Sequence, residues 1–192
     1  LSGTTTLITG STRGIGLATA RLFAALGSHV VIHGRPESLD RATSIAQEII
    51  DGGGNAHPDV ADAANPEEMG AVVRRAFERT GRFDTLVLNA GVKEDGFVHR
   101  TSRESVAAVF QTKVLGPFGA ITEAVDIMRR NDGGQIVGVS SPARFGFPMQ
   151  IGYAGANAAI EAMIATVALE GNKKGIRASI VRPGFTETDM TS

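Results

Sequence analysis

The sequence predicts an α/β fold, a doubly wound parallel sheet with helices on both faces, and three observations predict it. Short β-branched apolar runs alternate with helical apolar stripes along the whole chain. A glycine-rich turn, Gly10-Ser11-Thr12-Arg13-Gly14-Ile15-Gly16, stands between the first run and the first stripe. Later runs end in small or polar residues, Asn89-Ala90-Gly91 and Ser140-Ser141, as suits strand ends that meet a ligand. With 192 residues the chain makes one domain with a sizeable core.

Taken in order, Leu7 and Ile8 between threonines form a strand buried on both faces. Gly10, Gly14 and Gly16 then let the backbone turn tightly and approach a ligand closely, and the N–H groups opening the next helix favour a phosphate. This strand, turn and helix context points to dinucleotide binding, the alternative being a purely structural turn. The helix carries Ile15, Ala18, Leu22 and Leu26 as its apolar stripe. A second strand, Val30 to Ile32, stops at His33-Gly34-Arg35, where such folds meet the adenosine ribose. Arg13 and Arg35 at that corner suit a 2′-phosphate, so NADP(H) is favoured over NAD(H), unless Arg35 is only a solvated charge.

Residues 38–50 form a helix with Leu39, Ala42, Ile45, Ala46 and Ile49 on its apolar side. Residues 56–60 give a third strand, short and interrupted by Pro58, which places it at an edge or marks it as shortened. Asp59 is positioned to accept from an adenine amino group, with Val60 beside it. A helix over 66–79 follows, with Pro66 in its first turn and Met69, Val72, Val73, Ala76 and Phe77 inward. Residues 85–88 are a fourth strand, ending in Asn89-Ala90-Gly91, whose small side chains let a flat ring lie against the backbone.

The long helical segment 102–128 is interrupted at Gly116-Pro117. Pro117 has no N–H to bond the carbonyl four residues earlier, that of Lys113. A lysine on an apolar helix beside a freed carbonyl marks a functional position. Residues 135–139 form a fifth strand leading to Ser140-Ser141. The following loop, with Phe145, Phe147, Pro148 and Met149, is apolar enough to line a pocket and equally able to be core. A helix over 152–170 presents Tyr153 and Asn157 on one face. A sixth strand over 176–181 closes with Pro183-Gly184 and the polar Thr186-Glu187-Thr188.

Bulk properties exclude several classes. A net charge of −1 gives no case for nucleic acid or an anionic membrane as partner. Zero cysteines rule out disulfides, thiol nucleophiles and thiolate metal ligands, and suit a reducing, cytoplasmic compartment. No apolar run has the length of a membrane span and no signal-peptide pattern opens the chain. His29, His33, His57 and His99 lack ligand spacing, so no metal site is expected. The pairs Arg74-Arg75, Arg129-Arg130 and Lys173-Lys174 read as solvated charges near helix ends.

Along nearly its whole length the chain resembles the short-chain dehydrogenase/reductase family. The resemblance rests on Thr9-Gly10 with Arg13-Gly14-Ile15-Gly16, on Asn89-Ala90-Gly91, on a serine ahead of Tyr153, and on Pro183-Gly184 with Thr188. It implies a Rossmann-type fold and an NAD(P)-dependent oxidoreductase interconverting a small-molecule carbonyl and alcohol. It further implies that Asn89 to Gly91 support the cofactor, that Thr188 contacts the nicotinamide amide, and that the protein is a homo-oligomer. Family members carry a lysine four residues after the tyrosine and an asparagine in the preceding long helix. This chain has Asn157 and Lys113 at those places, an exchange similar to that in the ketoreductase modules of polyketide and fatty-acid synthases.

On that resemblance Tyr153 is the general acid, Lys113 and the oxidised nicotinamide supply positive charge, a serine orients the carbonyl oxygen, and Asn157 holds a water or main-chain group in the proton relay. Strand register favours Ser141 as the serine, whereas counting back from Tyr153 favours Ser140. The alternative is a catalytically silent relative acting as a cofactor-binding sensor or assembly partner. The family also continues past the Thr188 region through a substrate-covering segment and a final strand, which this sequence does not contain.

Overall fold

The structure, a computed structural model, describes residues 1–187. Thr188 therefore lies outside the described residues. Six parallel strands form one sheet: β1 (Thr5–Ile8), β2 (His29–Ile32), β3 (Asn55–Pro58), β4 (Thr85–Leu88), β5 (Gly134–Val139) and β6 (Ile176–Val181), in the order β3-β2-β1-β4-β5-β6. Connections run outward in both directions from β1 and β4, whose register pairs Leu7 with Leu86. A crevice opens beyond the carboxyl ends of these two strands, where sheets of this kind bind ligands. Pro58 sits on β3 at the sheet edge, where its missing N–H disrupts no ladder.

Successive strand residues enter opposite cores, so Leu7 and Val31 face one layer while Ile8, Val30 and Ile32 face the other. The first layer holds α3 (Pro66–Thr80), α5 (Gly116–Arg130) and α6 (Ile151–Gly171), through residues such as Val72, Ala124 and Ile160. The second holds α1 (Gly14–Ala25) and α2 (Leu39–Asp51), through Ala20, Ala24, Ala42 and Ile45. Burying each aliphatic side chain of Val, Leu or Ile size contributes roughly 1.5–3 kcal/mol.

Helix α1 departs from the expected stripe. Its buried residues are Gly16, Ala20 and Ala24, while Leu22 and Leu26 are exposed. A Cβ on Gly16 would overlap the Gly10 carbonyl, and Ala20 and Ala24 pack in the layer with Ile8, Val30 and Ile32. Leu39 of α2 is likewise exposed. Arg74 and Arg75 fall in the body of α3 rather than at its end, and both are paired, with Glu123 and Asp59. Helix α6 is long and apolar enough to pass as a membrane span by composition. One side of it packs against β5, β6 and α4 (Arg103–Phe110).

Between α4 and α5 the backbone widens into a π-helical turn, Gln111–Leu115, in which the Gly116 N–H bonds the Gln111 carbonyl five residues back. Two residues fix its place. Pro117 cannot donate to the helix ladder. A Cβ on Gly116 would overlap the Ala63 carbonyl, so α5 begins pressed against the chain entering α3. The turn changes the phase of the helix and sends Lys113 inward, where it is buried.

Candidate active site

The carboxyl ends of the strands enclose a cavity of about 500 Å³. One wall is the glycine turn, where Gly10 and Gly14 take φ of +67° and +53°, values costly for residues with a Cβ. Thr12, Arg13, Gly14 and Ile15 line it. The first helical bond runs from the Leu17 N–H to the Arg13 carbonyl, and no side chain caps the helix start. The preceding N–H groups are a fitting cradle for a phosphate. Asn89 Nδ2 donates to the Thr9 carbonyl at 2.9 Å, and Thr9 Oγ1 accepts the N–H groups of Asn89 and Ala90 at 3.0 and 2.9 Å. The glycine turn and the Asn89-Ala90-Gly91 segment are thus bound into one surface.

Gly16 does not line the cavity but permits the packing behind it, since a Cβ there would lie 2.6 Å from Asn89 Nδ2. Ser11 is also behind the wall, its Oγ accepting the His33 N–H at 2.8 Å. Arg35 lines the same end as Arg13, with Glu37 3.7 Å from its guanidinium. A Cβ on Gly34 would strike Ser38 Oγ and Thr12, so glycine keeps this corner open.

Asp59, expected at the adenine, is paired within the protein. Arg75 holds its carboxylate in a two-bond fork at 2.6 and 2.8 Å, and neither Asp59 nor Val60 borders the cavity. Asp62 and Ala63 do. His33 was missed as a wall residue. Its Nδ1 accepts the Gly10 N–H at 3.2 Å, its Nε2 has no partner, and burial pushes it down to about 4, with Asp59 opposing and Arg75 adding to the shift.

At the other end, Lys113, Ser140, Ser141 and Tyr153 line the cavity together. Lys113 Nζ donates to the Val139 carbonyl at 2.8 Å, and burial pushes its ammonium down to about 8. Its stem passes Gly91, where a Cβ would stand 3.0 Å from the lysine Cδ. Ser140 Oγ donates to Glu161 at 2.7 Å, whereas Ser141 Oγ accepts the Ala143 N–H at 3.2 Å and keeps its own proton for another acceptor. Asn157 does not reach the cavity. It is fully buried, and its Nδ2 donates to the Tyr153 carbonyl one turn back, because its short side chain spans only its own helix. Pro183, Gly184 and Thr186 form the opposite rim. Of the apolar loop, Phe147 faces the cavity and Phe145 stands largely in solvent.

His29 and His57 are in contact, Nε2 to Nδ1 at 2.7 Å, which their sequence separation concealed. Among the described residues no group of three or more His, Asp or Glu side chains could hold a metal ion.

Residues 4–192 match the sequence model of the short chain dehydrogenases. The chain is 34% identical over 192 residues to a 3-oxoacyl-[acyl-carrier-protein] reductase of Synechocystis, covering all of this chain and 77% of that one. It is 36% identical to the corresponding protein of Thermotoga maritima, again over all of this chain and 77% of the relative. Among solved structures, a dehydrogenase/reductase from Sinorhizobium meliloti superposes with a TM-score of 0.93 at 30% identity, covering 100% of this chain and 75% of the other. A short chain dehydrogenase from Mycobacterium avium gives 0.91 at 29% identity, with coverage of 97% and 72%.

Proposed function

Because this chain belongs to the short-chain dehydrogenase/reductase family, we propose that it is an NADP(H)-dependent carbonyl reductase with Tyr153, Lys113 and Ser141 as its working group. The observation that carries the reading is the meeting of Lys113, from the π-helical turn, with Tyr153 in one cavity. A lost lysine leaves no buried cation in the tyrosine's cavity; here a lysine from another helix lines it. The relatives named as 3-oxoacyl-[acyl-carrier-protein] reductases favour a 3-oxoacyl thioester as the substrate class.

When bound, the cofactor supplies the hydride that reaches the carbonyl carbon. Tyr153 donates a proton to the carbonyl oxygen as negative charge grows there. Ser141 donates a hydrogen bond to the same oxygen and orients it; the Ser140 hydroxyl is already committed to Glu161. Lys113 balances the charge left on the phenol when its proton departs. Arg13 and Arg35 pair with the 2′-phosphate that separates NADPH from NADH, and the first N–H groups of α1 hold the pyrophosphate. Asn157 acts from behind, keeping the turn of α6 below Tyr153 in place.

The test is a fluorescence titration with NADPH and with NADH, followed by NADPH consumption on acetoacetyl-CoA, the simplest 3-oxoacyl thioester probe. Saturable binding that prefers NADPH, with turnover abolished in Tyr153→Phe, is the expected result. Preference for NADH overturns the arginine argument. Binding without turnover across a panel of ketones and thioesters returns the chain to the silent-relative reading.

A further inference from the structure

Glu161 lies on α6, deeper than Tyr153, and its side chain is 8% exposed. A carboxylate out of water is costly unless its oxygens are occupied. Here Oε1 accepts Ser140 Oγ at 2.7 Å and Arg182 Nε at 2.6 Å. Oε2 accepts Arg182 Nη2 at 2.7 Å and lies 3.0 Å from Arg144 Nε, an ion pair without hydrogen-bond alignment. The hydrogen bonds from Arg182, together with Ser140 and Arg144, hold Glu161 below the usual carboxylate range, so the anion persists at neutral pH.

The three partners belong to three separate pieces of chain. Ser140 follows β5, Arg144 sits in the short 3-10 turn Pro142–Phe145, and Arg182 follows β6. Each is next in sequence to a cavity wall: Ser141, Ala143 and Pro183. One backbone bond, Ser140 N–H to the Val181 carbonyl, joins the strand ends, and Glu161 adds side-chain bonds to the residues just beyond it, Ser140 and Arg182. A buried ion pair adds little net stability against an apolar replacement, but it fixes geometry.

We infer that Glu161 is a positioning residue for the reduction, a clamp that sets the separation between the serine turn and the Pro183-Gly184 turn. The inference rests on the reductase reading above. Those two turns are the walls between which the carbonyl held by Ser141 and the nicotinamide must meet, and a displacement near 1 Å there costs about a hundredfold in rate. Accepting the Ser140 hydrogen bond has a second effect: it leaves Ser141 as the hydroxyl available to the carbonyl.

The test uses Glu161→Gln, Arg182→Gln and the double variant, because Arg182 is 44% exposed and its loss spares the core. With acetoacetyl-CoA and NADPH, kcat of Glu161→Gln falls about a hundredfold. The NADPH dissociation constant, read by fluorescence, stays within about threefold, because the cofactor's phosphates are held at α1. NADPH deuterated at the transferred hydrogen gives a larger isotope effect in this variant than in the parent. The double variant, in which two neutral amides replace the ion pair, recovers about tenfold. A kcat within twofold of the parent overturns the clamp, as does a loss that tracks NADPH affinity or the folded fraction. Amide hydrogen exchange decides the matter without turnover: residues 140–145 and 182–186 of Glu161→Gln lose protection together while residues 10–16 do not. Unchanged protection, or loss confined to one segment, refutes the clamp. A parent that fails to reduce the thioester refutes the substrate reading and leaves the exchange result to stand for the clamp alone.

Discussion

Replacing His33 by asparagine separates a titrating wall residue from its structural role. The imidazole is 1% exposed, accepts the Gly10 N–H through Nδ1 and faces Asp59 and Arg75. In the folded chain it ionises at about 4 instead of the ordinary 6.5. Above 6.5 the ring is neutral folded or unfolded and stability is unaffected. Between 6.5 and 4 the unfolded chain binds the proton and the folded chain does not, so stability falls as the pH falls. Linkage across that gap gives a loss of about 2 kcal/mol between about pH 7 and pH 5 from this residue.

Asparagine retains an oxygen near the Nδ1 position to accept the Gly10 N–H but cannot titrate. Its smaller volume costs stability equally at both pH values and cancels in the comparison, as does His57, which burial also pushes to about 4 and which both proteins share. Urea unfolding of the parent and of His33→Asn at the two pH values measures the difference. The variant loses about 2 kcal/mol less on acidification than the parent does. Identical acid dependence in the two proteins refutes the assignment of a buried neutral imidazole at the glycine turn.

Lys113→Met lowers kcat by about a hundredfold or more while the NADPH dissociation constant changes only a few-fold; near-parental turnover refutes the exchanged-lysine argument. The alkaline limb of the kcat/KM profile falls near the value of about 8 set by burial of Lys113, because the cation is lost above it; a flat alkaline profile contradicts this. Gly91→Ala brings a Cβ to 3.0 Å from Lys113 Cδ, and an activity loss of about tenfold with little change in the urea midpoint is expected. Arg35→Ala raises the NADPH dissociation constant by about tenfold and leaves that for NADH nearly unchanged, as parallel fluorescence titrations will report.

The sheet was legible because fully buried parallel strands leave uninterrupted apolar runs, and the glycine turn because its spacing is a backbone requirement. The phase of α1 was not, since Leu22 and Leu26 outrank Ala20 and Ala24 in hydropathy while close packing selects the small pair. Lys113 could be singled out through Pro117, four residues on, a local covalent consequence. Asp59 and Glu161 depended on partners far along the chain, Arg75 in one case and Arg144 and Arg182 in the other. No local pattern announces which arginine will arrive. His33 was visible at the end of β2, but its role lies in a bond to Gly10 that only the sheet register brings about.

The widened turn at Gln111–Leu115 ties the chemistry of the cavity to chain length. Each residue of an α-helix advances the azimuth by about 100°. Deleting one residue there would restore a regular helix, swing the lysine-bearing surface away from Tyr153, and leave the composition of the segment nearly intact. Point substitutions elsewhere on α4 and α5 are buffered by packing, whereas the loss of a single codon in this turn removes the cation in one step.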